Sequence, residues 1–153
     1  MVRTRSFRRS PRAVAALVGA CLAVVTLAGC SSTVSDLRQA ASDARSAVSS
    51  ANLAMSQQAR ARTFLPTTQT VLGDAITELG SAEQAAAEVE PDGAVEESAQ
   101  QRTLTAIREA TDAVLAAQRT VADDAASGVP ALRASTKELT ALADRLLKAE
   151  GRG

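Results

Sequence analysis

The chain has no histidine, tryptophan or tyrosine, and only two phenylalanines and two cysteines in 153 residues. Without histidine, Ser-His-Asp and Cys-His nucleophile systems and a histidine-ligated zinc site are excluded. Phe64 is the sole aromatic residue beyond position 30, so the aromatic walls usual in small-molecule pockets are missing as well. Cys21 and Cys30 both fall in the first thirty residues, which leaves the remainder without a disulfide and dependent on packing for its stability. Serine and threonine are plentiful, yet none sits in a GxSxG-like nucleophile elbow. Most of the material of an enzyme is therefore absent. The chain is read as non-catalytic, with no catalytic residue, metal-ligand set or cofactor.

Charge is balanced in number and uneven in place. Lys and Arg total 17, as do Asp and Glu. Arg3, Arg5, Arg8, Arg9 and Arg12 open the chain without an intervening acid, and residues 13–29 then carry no charge. A basic start followed by an apolar run is the order of an export signal, whose basic part stays on the cytoplasmic side. The run is 17 residues long and diluted by Ala, Gly and Thr26, short of the about 20 strongly apolar residues of a spanning helix. Cleavage is expected over retention. Removal of those five arginines leaves 12 basic against 17 acidic residues, a sign that argues against nucleic-acid binding and against a polybasic membrane contact.

The apolar run closes on Leu27-Ala28-Gly29-Cys30. This resembles the lipobox of bacterial lipoproteins, in which a Leu and two small residues precede an invariant Cys. The resemblance implies a diacylglycerol thioether on Cys30, cutting between Gly29 and Cys30, and a mature chain starting at Cys30. Two acyl chains on one residue give stable anchoring where a single chain binds reversibly. The implied address is the extracytoplasmic face of a cell membrane. With residues 1–29 as leader and residues 30–32 as a short tether, residues 33–150 remain for the folded domain and residues 151–153 for a disordered tail.

Within residues 33–150 the texture is alanine at helical spacing. Val34, Ala41, Val48 and Met55 fall seven apart with Leu37, Ala44 and Ala51 between them, which predicts one helix over about 33–63. Thr33 with Asp36 reads as a capping box, and Pro66 as the first residue of the next helix. Leu72, Ala75, Leu79, Ala82, Ala86 and Val89 continue the stripe to a turn at Pro91-Asp92-Gly93. A third helix carrying Leu104, Ile107, Val114 and Val121 is expected to end at Gly128, with Val129-Pro130 opening a fourth that carries Leu132, Ser135, Leu139, Leu142, Leu146 and Ala149. Gly73 and Gly80 either permit close helix approach or merely weaken the second helix. The predicted fold is all-α, an antiparallel bundle of about four alanine-rich amphipathic helices following a cleaved signal peptide.

Only 24 of the 124 residues from Cys30 onward are Val, Ile, Leu, Met or Phe, against 28 alanines, so the core is thin and a partner or self-association would supply further burial. The expected function is a lipid-anchored scaffold or adaptor for an envelope protein. An accessory or solute-binding lipoprotein of a transporter and a self-assembling coiled coil, possible as a homo-oligomer, are the alternatives. The opening Cys30-Ser31-Ser32 with heptads is also similar to the alanine-zipper major lipoprotein of enteric bacteria, a single uninterrupted helix. Pro66, Pro91 and Pro130 depart from it. Glu83, Glu88, Glu90, Asp92, Glu96 and Glu97 crowd one turn, where a solvated acidic loop is expected over a cation or basic-partner site.

Overall fold

A computed structural model of the chain describes residues 33–151. The expected leader 1–29, the lipobox Leu27, Ala28, Gly29 and Cys30, the tether 30–32 and the tail beyond Gly151 lie outside the described residues. Four α-helices make up the fold: α1 (Thr33–Gln58), α2 (Leu65–Ala87), α3 (Ala94–Thr120) and α4 (Ala125–Glu150).

Each helix packs on its neighbour in sequence, and α4 closes the ring on α1. The bundle is up-down-up-down. The Thr33 hydroxyl donates to the Glu90 carbonyl, and Arg38 pairs with Glu150 at 3.0 Å, so the start of α1 meets the ends of α2 and α4. At the opposite end, Thr68 on α2 donates to Gln58 on α1, and Gly128 on α4 abuts Met55 and Ala117. Arg108 on α3 pairs with Glu83 on α2 at 2.6 Å. The end where α1 begins is named the tether end after the tether expected at residues 30–32, and the opposite one the distal end.

One diagonal is closed and the other open. α1 touches α3 across the centre, whereas α2 and α4 do not meet. The cause lies in side-chain size. Of the eight buried residues of α1, five are alanines (Ala40, Ala41, Ala44, Ala47 and Ala51), whose methyl groups let three helix backbones approach one. Leu72 and Leu79 on α2, Ile107 and Val114 on α3, and Leu132 and Leu139 on α4 then fill the space around that methyl-lined hub. Twelve of the 25 buried core residues are alanine, so helix propensity supplies much of the local order while the apolar area removed from water stays small.

The heptad stripes fall where the spacing predicts, with five exceptions. Val34, Val89, Leu104 and Ser135 are half-buried and Ala149 is exposed. Helix ends differ more. α1 stops at Gln58 and not near Thr63, because Ala61 adopts a left-handed backbone (φ 53°). The N–H groups of Ala61 and Arg62 then reach back to the carbonyls of Gln58 and Gln57, a Schellman motif built without glycine. Thr33 is already helical and its hydroxyl engages Glu90 in place of the expected capping box. α2 begins one residue earlier than expected, with Pro66 at its second position.

The third helix ends at Thr120, eight residues before the expected Gly128. Asp124 caps the fourth: its carboxylate accepts from the Ser127 N–H at 3.2 Å, and the Ser127 hydroxyl donates back to the Asp124 carbonyl at 2.9 Å. Gly128 and Pro130 therefore lie inside α4, early enough that the proline's missing N–H interrupts one bond without stopping the helix. Gly128 is there for closeness. A Cβ on it would stand 2.9 Å from Met55 Cε and 3.1 Å from Ala117 Cβ. Gly73 and Gly80 face nothing within 4 Å, so of the two readings for them, weakening of the helix is the one that applies.

Candidate functional site

The distal end carries two of the four large apolar side chains that stand exposed among the described residues, Leu53 and Phe64. The Schellman turn at Ala61 throws residues 60–64 outward, and Phe64 is the N-cap of α2, its backbone extended (φ −90°, ψ 142°) as it enters Leu65-Pro66. Its carbonyl accepts the Thr68 N–H at 3.2 Å, and the buried Thr68 hydroxyl donates to Gln58 Oε1 at 3.2 Å. The backbone at the tip is thus fixed from both helices. The ring is not covered: Phe64 is 82% exposed, in a protein with a single aromatic residue among those described.

Beside the ring, α1 and α2 leave a shallow groove of about 230 Å³ whose walls include Leu53, Ala54, Gln57, Thr67 and Val71. Leu53 is itself 59% exposed. Arg60 and Arg62 flank the turn, and neither makes an ion pair among the described residues. An exposed aromatic anchor, an apolar groove and two arginines form the composition enriched at protein interfaces. Chemically the tip favours a partner with an apolar contact and a carboxylate. Two copies meeting tip to tip would oppose four guanidinium groups.

The acidic segment does not converge. Glu83 is committed to Arg108, Glu88 accepts from Gln84 Nε2 at 2.8 Å, and Glu96 reaches back to the Asp92 N–H at 2.8 Å. Among the described residues no three His, Cys, Asp or Glu side chains stand together as a metal site. The turn is instead tied by Gln100, which sequence reasoning passed over. Its amide donates to the carbonyls of Val89 (2.7 Å), Ala86 (3.0 Å) and Ala87 (3.4 Å), satisfying C-terminal groups of α2. A glutamine six residues into a helix carries no sequence signal for that role. Asp123 and Asp124, read as plain polar-face residues, divide: Asp124 is a cap and Asp123 is exposed.

Cys30 and the other lipobox residues, the sites expected from sequence, lie outside the described residues. Phe64 was legible as the lone aromatic, although its exposure was not. Comparison with protein-family models, with curated proteins and with solved structures finds no match to this chain.

Proposed function

We propose that this chain is a lipid-anchored, extracytoplasmic, non-catalytic scaffold that presents its distal tip to an acidic envelope partner. The reading rests on two features. The sequence from the arginine cluster to Leu27-Ala28-Gly29-Cys30 is similar to a lipoprotein signal and implies a diacylglyceryl Cys30. No helix among the described residues is long and apolar enough to cross a membrane, so an acyl anchor is the means of attachment this reading requires.

The observation that carries the scaffold part is Phe64, 82% exposed at a tip whose backbone is hydrogen-bonded from both helices, four and two residues after Arg60 and Arg62. Isolated surface aromatics are costly to expose and useful to bury: a phenylalanine fully removed from water contributes about 1.5–3 kcal/mol. The α1 hub adds a reason for rigidity, because a short tether and a stiff bundle fix the height of the tip. A helix of 26 residues spans about 39 Å at a rise of about 1.5 Å per residue.

The test has two arms. Intact-mass measurement of the natively expressed protein is expected to give a chain beginning at Cys30 with a diacylglycerol adduct, and a bare thiol or retained leader overturns the anchor. A photo-cross-linking residue at position 64 in living cells is expected to capture one discrete partner, with the adduct lost in Arg60→Glu/Arg62→Glu and absent when the probe is at position 80. Equal capture from both positions overturns the tip as the docking surface.

A further inference from the structure

Residues 98–109 of α3 and 134–145 of α4 border an open groove of about 680 Å³, and Arg102, Leu142 and Arg145 also line a smaller chamber of about 140 Å³ at the tether end. The groove exists because Ala106 on α3 and Ala141 on α4 are too small to close it. Its floor is alkyl. Leu142 continues from groove to chamber, where Val34 and Leu146 complete the lining. No aromatic residue among those described reaches it, since Phe64 caps α2 at the other end of the bundle.

Antiparallel pairing puts Arg102 and Arg145 on opposite walls where groove and chamber join. Neither makes an ion pair among the described residues; Arg102 bonds only to Ser98 on its own helix, at 3.0 and 3.1 Å. Of the nearby carboxylates, Glu96 lines the chamber and accepts the Asp92 N–H, while Glu109 and Glu138 line the groove with Lys137 two helical turns further along. Two guanidinium groups on opposite walls with Leu142 at the same junction favour an anion between them.

We propose that the chamber, with the groove end that adjoins it, binds a single-chain anionic amphiphile of the fatty carboxylate class, its head held between Arg102 and Arg145 and its chain laid along Leu142 and Leu146. Size selects this occupant over a partner helix. A helix is about 10–12 Å across, whereas a chamber of about 140 Å³ admits a polymethylene chain and little more. The larger groove falls within the about 300–1,000 Å³ of small-molecule sites. The assignment stands whether or not Cys30 is acylated.

The experiment uses the full chain in phosphatidylcholine vesicles, labelled with a palmitate analogue carrying a terminal diazirine and mapped by peptide mass spectrometry. Adducts are expected on residues 99–106 and 141–149, to be competed by palmitate, and to fall about tenfold or more in Arg102→Gln/Arg145→Gln, the loss of charge-assisted hydrogen bonds. Arg102→Lys/Arg145→Lys is expected to keep most of the labelling, which separates lost charge from lost fold. Equal labelling by the matching fatty alcohol, adducts elsewhere, or indifference to the glutamine pair each overturn the proposal. So does a groove that is labelled by a diazirine-bearing acidic amphipathic peptide and not by the palmitate probe.

Discussion

Three glycines in similar helical settings make opposite predictions when changed to alanine. Gly73 and Gly80 lie within α2 with nothing inside 4 Å of an added Cβ. Alanine there adds helix propensity and narrows the unfolded ensemble, about 0.5–1 kcal/mol at each position. The sites are seven residues and about 10 Å apart along the axis, far enough to add, so Gly73→Ala/Gly80→Ala is expected to stabilise by about 1–2 kcal/mol. For a bundle of this size that raises Tm by roughly 3–8 °C. Gly128→Ala gains the same propensity and loses more. Its Cβ would lie 2.9 Å from Met55 Cε, which swings aside, but also 3.2 Å from Ala117 Cα, and that backbone moves only if α3 moves. Overpacking costs about 1–3 kcal/mol, which leaves Gly128→Ala neutral to about 2 kcal/mol destabilised, and Gly128→Val worse. Thermal melts followed by circular dichroism at 222 nm on the full chain separate these cases. A Gly128→Ala protein as stabilised as Gly80→Ala would refute the close approach of α1, α3 and α4 at that point.

Ala61→Gly is expected to stabilise by about 1 kcal/mol, because an L-residue in the left-handed region costs about 1–2 kcal/mol and glycine does not; unchanged denaturant midpoints would count against the Schellman turn. Gln100→Ala removes the amide that serves three carbonyls and is expected to cost about 1–2 kcal/mol, with amide exchange accelerating at residues 88–93 ahead of the rest of the bundle. Thr68→Val keeps the shape of a fully buried residue but strips Gln58 Oε1 of its donor, so a loss of about 1 kcal/mol is expected in urea melts. If the chain is anchored at Cys30, a spin label at residue 92 is expected nearer the bilayer than one at residue 62, since Thr33 and Glu90 share one end of the bundle; the reverse order would overturn the anchored orientation.

Much of the bundle was legible because heptad spacing records which residues share a helix face, and nearly every stripe position from Leu37 to Leu146 is buried. Helix ends were less legible for a physical reason. Glycine serves both as a left-handed terminator and as a site of close packing, and at Gly128 the second use looks like the first. At Ala61 the terminator is present without its usual residue. The cap at Asp124 had a signal in Ser127 three positions on, masked by the stronger Val129-Pro130. The two candidate binding surfaces depend on register between helices. That Arg102 faces Arg145, or that Phe64 stands clear of every neighbour, follows from how four faces meet, and no local pattern encodes it.

The methyl-lined hub links stability to function. Helices built on alanine hold their secondary structure through propensity, while the contacts that fix one helix against another bury little area per residue. Packing should therefore loosen before helicity is lost, and at the distal end Gln58 to Thr68 is one of few polar ties between α1 and α2. A partner seated on Phe64 and Leu53 would clamp that same junction. Binding confined to the packed state stabilises it by about 2.7 kcal/mol at a free partner concentration of 100 Kd. The bundle would thus be stiffest when occupied, and an acidic partner would raise Tm in wild type while leaving Phe64→Ala unchanged, a result that simple crowding at the membrane does not produce.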